Sequence, residues 1–216
     1  MTARVPGGRR GGVPTGASGH WTVAMPAWGE RCLGVMERYT MPALAIALGE
    51  LVRATPRPLN PVIWAATDDP ARVQRAFDAH VGVAGGATLH VTGVPAPDNA
   101  FISMSNHHRQ VMGAAARGGR VLLLTADMAV SREVLVTCEQ HISRGAGIIC
   151  CVAPRALEDA EPPVGASGRE LLEWAWANRH PMTIDCTWPE GRSYDVWRMY
   201  FEKDGEVGAR VFLPHP

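Results

Sequence analysis

The chain has 216 residues, 46% of them hydrophobic and 19% charged, enough apolar material for one sizeable core. Lysine plus arginine and aspartate plus glutamate number 21 each, so the net charge is zero. With the arginines scattered rather than clustered, this argues against a partner bound through nucleic-acid phosphates. Five cysteines contain no C-x-x-C pair, which speaks against a disulfide framework or a structural zinc. No apolar run approaches the roughly 20 residues of a membrane span, and the basic first segment lacks the apolar stretch of a signal peptide. A cytoplasmic protein with reduced thiols is expected.

Residues 1–19, rich in Gly, Pro and Arg, are expected to form a disordered tail, with order beginning at His20. Trp21 to Met25 reads as a short strand ending at Pro26. Gly29 to Leu48 carries Cys32, Val35, Met36, Tyr39, Ala43 and Ile46 at helical spacing, with Pro42 expected to kink it. Pro61 to Ala66 is a buried strand. Asp69-Pro70 then supplies an N-cap and a proline at the first helical position, with Val73, Ala76 and Phe77 on the inner face. Thr88 to Thr92 is a third strand, followed by a helix from Ser105 or Asn106 to Arg117 that Gly118-Gly119 stops.

Arg120 to Thr125 is the most hydrophobic strand and is expected at the sheet centre. Ser131 caps a helix ending at Gly145, and Gly147 to Val152 forms a fifth buried strand. Regular alternation of helices with continuously apolar strands predicts an α/β fold, its mostly parallel sheet covered on both faces. This core spans residues 20–160. Glu161-Pro-Pro-Val-Gly reads as a linker into a C-terminal part, 161–216. There Ser167-Gly-Arg-Glu170 is a capping box opening a helix, and Val196 to Phe212 reads as a β-hairpin around Asp204-Gly205.

Parallel sheets bind ligands beyond the carboxyl ends of their strands. The segments there are Pro26-Ala-Trp-Gly-Glu30, Thr67-Asp-Asp69, Thr125-Ala-Asp-Met128 and Ala153-Pro-Arg155. Val23-Ala-Met-Pro-Ala-Trp-Gly-Glu-Arg before an apolar helix resembles the opening strand and helix of GT-A glycosyltransferases. Ala65-Ala-Thr-Asp-Asp69 resembles the acidic turn after that family's second strand. Val121 to Ser131 is similar to its metal-site strand, turn and helix. The ordered set, over residues 20 to about 155, is closest to a group of uncharacterised bacterial glycosyltransferase-like proteins.

The resemblance implies a GT-A sheet, a nucleotide-sugar donor and an Mn²⁺ or Mg²⁺ ion that neutralises the departing diphosphate. It assigns donor contacts to Pro26, Glu30, Asp68, His107, His108 and Arg155, and metal contacts to Asp127 and His215. The family's Asp-x-Asp is here Thr125-Ala126-Asp127, so one carboxylate is missing and His215 is the expected substitute. Each residue also has a plainer role. Glu30 is favoured by the helix dipole alone, and Asp127 suits a solvated turn. Asp69 is sufficient as a cap, whereas Asp68 has no such structural task. Adjacent His107 and His108 do not face the same way on a helix, and Arg155 also suits a surface ion pair. Trp174 fits packing. Among acceptor-side carboxylates, Glu190 and Asp195 are the candidate bases.

The acceptor is not legible, and a partner protein or second copy completing the site is one expectation for so short a member. The rival reading is a catalytically lapsed GT-A-like binding module, motivated by the missing aspartate. No G-x-G-x-x-G, G-x-x-x-x-G-K-[ST] or G-x-S-x-G supports a dehydrogenase, a P-loop enzyme or a hydrolase.

Overall fold

The computed structural model describes residues 20–56, 59–84, 86–115, 119–149, 154–157, 159–185, 187–188, 200–204 and 208–212. The tail expected over residues 1–19 lies outside them. Four strands form one all-parallel sheet: β1 (Trp21–Ala27), β2 (Val62–Thr67), β3 (Thr88–Gly93) and β4 (Arg120–Leu123), in the order β3-β2-β1-β4. Every residue of β1 is buried, so helices cover both faces of the sheet.

β4 is not central, as its hydrophobicity suggested, but stands at an edge of the described sheet. Its residues are half-buried to exposed, and β1 takes the middle beside β2. Among residues 147–149 no strand is present, and 150–152 of the expected fifth strand lie outside the described residues.

β1 also runs two residues past the expected stop and carries Pro26 inside it. The register explains this tolerance. Leu124 N–H donates to the Ala24 carbonyl, so residues 22, 24 and 26 of β1 direct their backbone groups towards β4. β4 pairs only as far as Ala24↔Leu123, so the missing N–H of Pro26 falls where no ladder partner was available.

The first helical region is longer than expected and has three parts. α1 (Gly29–Val35) passes through a π-turn (Met36–Thr40) into α2 (Met41–Ala54). Met41 N–H donates to Met36 O, five residues back. The wider winding comes just before Pro42, which has no N–H to continue an α-helical ladder. The proline therefore acts through a π-turn and the helix goes on.

α3 (Pro70–Ala84) starts as expected. Asp69 Oδ1 accepts from Arg72 N–H at 3.0 Å, and Val73, Ala76 and Phe77 are buried. α4 (Ala100–Ala115) begins at least five residues earlier than expected, because Asn99 is the cap: its Oδ1 accepts from Ile102 N–H at 3.1 Å.

α2 packs on α3 and α5 (Val134–Ser143), and α4 packs on β1 and β4. Right-handed crossovers put α2 and α3 on one face and α4, which crosses back from β3 to β4, on the other. The core centres on Val23, Met25 and Ile63 of the sheet with Met36, Met41, Leu44 and Leu51 above them. Ser131 does not cap α5 with its side chain. Its carbonyl accepts from Val134 N–H, and Gly145 ends the segment with φ +98°.

The residues just after the expected linker are bonded to the core. Arg132 N–H donates to Ala166 O, and Glu133 Oε1 accepts from Gly168 N–H at 2.6 Å. α6 (Gly168–Ala177) opens with the Ser167–Glu170 capping box, with both reciprocal bonds made. α7 (Pro181–Asp185) follows. A second, three-stranded sheet pairs β5 (Thr187–Trp188) parallel to β6 (Tyr200–Asp204), and β6 antiparallel to β7 (Gly208–Phe212). Among the described residues, no helix is long and apolar enough to cross a membrane.

Candidate functional site

The strand order reverses between β1 and β4: the chain leaves β1 towards β2 and returns at β4 on the other side. In such sheets the crevice beyond the two strand ends is where ligands bind. Residues 26–30 and 124–128 border it.

At its centre Gly29 takes φ +76°, a left-handed conformation that glycine alone adopts without cost. Its N–H points at the Asp68 carboxylate, 3.1 Å from Oδ2 and 3.2 Å from Oδ1. Asp68 thus has a structural task after all: it satisfies the first backbone donor of α1, where Trp28 offers no side-chain cap. On the β4 side, Thr125 Oγ1 donates to Asp127 Oδ1 at 2.7 Å. The hydroxyl that replaces the expected carboxylate holds the remaining one in place.

Behind this turn, the buried Thr40 hydroxyl donates to Ala126 O at 2.6 Å, fastening the turn to the π-turn. Burial raises the Cys32 thiol above its ordinary pKa, and Asp127 and Asp68 add to the rise while Arg31 opposes it. One thiol on α1 therefore feels both acids, and they share one end of the sheet.

Other expected contacts have other partners. Glu30 lies 2.7 Å from Arg72, whose guanidinium also bridges Glu37 at 2.8 Å, tying α3 to α1 and the π-turn. Glu37 is held below the ordinary carboxyl range chiefly by its hydrogen bond from Arg72. Arg155 bonds Met182 Sδ, and its carbonyl accepts from His180 N–H and Thr183 Oγ1, which fastens it to α7.

The two histidines diverge as adjacent helical residues must. Their ring centroids are 6.3 Å apart at 45°. His107 Nε2 lies 3.0 Å from Trp64 O, and His108 lies beside the Leu124 backbone. Burial lowers the pKa of both rings, against the opposing pull of those backbone partners. Among the described residues, no group of three or more His, Cys, Asp and Glu is placed to hold a metal ion. His215, Glu190 and Asp195 lie outside the described residues.

A cleft of about 570 Å³ opens beside the crevice, bounded by Trp28, Ala66 and Thr92 at the ends of β1, β2 and β3. Its other wall is the 94–98 loop and α4, through Asn99, Ile102, Ser103, Asn106, His107 and Gln110. Of the expected donor contacts, His107 alone lines it.

Sequence reading missed this wall because it started α4 at Ser105 or Asn106, which left Ser103 off the helix. With the start at Ala100, residues 103, 106 and 110 fall on one face. In sequence Trp28 is only one residue of the Pro26–Glu30 segment, whereas in the fold its indole N–H is buried with no partner among the described residues. Comparison with protein-family models, with curated proteins and with solved structures finds no match to this chain.

Proposed function

We propose that the chain binds a nucleoside-diphosphate sugar at the carboxyl end of its sheet and transfers the sugar to an acceptor, as its resemblance to GT-A glycosyltransferases implies. The observation that carries this reading is the pairing of one cleft with one acidic crevice. The cleft opens on the ends of β1, β2 and β3, its lining residue Trp28 precedes Gly29, whose N–H meets Asp68, and Asp68 and Asp127 act on the same thiol.

A diphosphate cannot approach two carboxylates uncompensated. At 4 Å each like-charge pair costs about 4 kcal/mol at the effective dielectric of a protein surface. The donor therefore needs a divalent ion. Asp127, oriented by Thr125, offers it a hard oxygen ligand, and donor phosphate and water complete the coordination. A bound Mn²⁺ or Mg²⁺ supplies charge neutralisation for the departing diphosphate. Glu30, paired with Arg72, and Arg155, fastened to α7, belong to the scaffold in this reading.

The second reading, a lapsed module that binds nucleotide without turnover, draws on Thr125 standing where the family has an acid. A thermal-shift panel of UDP, GDP, CMP and dTDP, each with and without Mn²⁺, tests both. Ligand that binds only the native state raises the melting temperature, by about 2.7 kcal/mol of stability at a hundred times Kd. The transferase reading expects one nucleotide to stabilise the protein in a metal-dependent way and its sugar conjugate to be slowly hydrolysed. Metal-dependent binding without hydrolysis leaves the lapsed module, and no binding at all removes both readings.

A further inference from the structure

We infer that the α4 wall of the cleft selects the nucleobase of the donor through Ser103, Asn106 and Gln110, and that the phosphates stay outside it. This rests on the nucleotide-sugar reading and deepens it by naming which part of the ligand enters the cleft and which residues choose it.

The three side chains follow at spacings of three and four, so they share one helical face, and all of them line the cleft. The amides of Asn106 and Gln110 make no hydrogen bond to another described residue. Each presents a donor and an acceptor, the mixture found along a nucleobase edge. Asn99, one turn earlier, is occupied as the helix cap.

The charge of the lining excludes the alternative. Among the described residues, no lysine or arginine lines the cleft, and Asp98 is an acid. A phosphate group there would meet a carboxylate and no cation. His107 adds no positive charge near neutral pH, because burial favours its uncharged form. Trp64 O can only accept, so His107 carries its proton on Nε2 and keeps Nδ1 as an acceptor.

Trp28 also lines the cleft, and its indole N–H is buried with no partner among the described residues. A cleft of about 570 Å³ is large enough for a base with its ribose.

The test uses the full chain in metal-free buffer. Binding of uridine, cytidine, guanosine and adenosine is compared by calorimetry with binding of ribose 5-phosphate, which has the phosphate and no base. One nucleoside is expected to bind and ribose 5-phosphate to fail. Asn106→Leu and Gln110→Leu should each weaken the preferred nucleoside by about fivefold or more and flatten the preference among bases. Both positions are exposed, so the melting temperatures should hold.

Binding of ribose 5-phosphate with no nucleoside bound overturns the inference. So does an unchanged base preference in both variants, and if UDP or GDP still binds with Mn²⁺ in that case, the nucleotide-sugar reading survives alone. If neither nucleosides nor nucleotides bind, both fall together.

Discussion

At the scale of single residues, the crevice is governed by Gly29, Asp68, Asp127 and Cys32. An alanine Cβ at position 29 would meet nothing within 4 Å, so substitution there probes the backbone and not packing. Gly29→Ala should cost about 1–2 kcal/mol, the ordinary penalty for a left-handed L-residue, read as a lower urea midpoint with an unchanged slope. An unchanged midpoint would mean that Gly29 does not need φ +76° to bring its N–H to Asp68.

Asp127→Asn is nearly isosteric and makes two separate predictions. Removing the charge that helps raise the Cys32 thiol should speed alkylation of Cys32 at mildly alkaline pH. That result checks the geometry whatever the function. If the transferase reading holds, the same variant should lose about 2–4 kcal/mol of transition-state stabilisation, or roughly 30- to 1,000-fold in rate. Wild-type turnover in Asp127→Asn would remove the metal role from this residue.

At the scale of elements, the π-turn is the feature that links helix to site. Its last residue, Thr40, is fully buried and donates to Ala126 O, one residue before Asp127. A straight α-helix through Pro42 would carry Thr40 at a different angle, so the helix irregularity and the position of the acidic turn are coupled. Thr40→Val keeps the shape and deletes the donor, leaving a buried carbonyl unsatisfied at a cost of about 1–3 kcal/mol. Thr40→Ser should recover most of that loss in thermal unfolding. Hydrogen exchange at the Met128 amide, bonded to Thr125 O at 3.3 Å, should quicken in the valine variant alone. Equal exchange in both variants would mean that the turn holds itself.

At the scale of the whole molecule, stability should respond to mild acid. His107 and His108 titrate lower in the fold than their ordinary value of 6.5, chiefly because burial disfavours the charged rings. The unfolded chain then binds more protons once pH falls towards 6.5. The stability present above that pH is lost as it drops further towards the folded-state values. Melting temperatures measured from pH 7.5 to 5 should decline, and His107→Gln with His108→Gln should flatten the decline. An equally steep decline in the double variant would assign the effect to other groups.

Local chemistry was legible from residue order. The Asp69-Pro70 start of α3, the Ser167–Glu170 box, the Gly145 stop and the first three strands all depend on neighbours within a few positions, and the structure has them where spacing put them. A proline in β1, the edge position of β4 and the early start of α4 were not legible in this way. Pro26 is tolerated because β4 ends before reaching it, which is a property of register between two strands nearly a hundred residues apart. The early start of α4 turned on a choice between Asn99 and the later polar residues Ser105 and Asn106, each a reasonable cap in isolation.

The sequence by itself determined a parallel α/β sheet with acidic turns after β2 and β4, because hydrophobic period and turn chemistry are encoded locally. Tertiary structure alone decided that Asp68 faces Gly29, that Thr40 holds Ala126, and that Trp28 and α4 enclose one cleft. Those relations join residues 39 to 86 positions apart, and chain order places no distance between such groups until the sheet and its crossovers do.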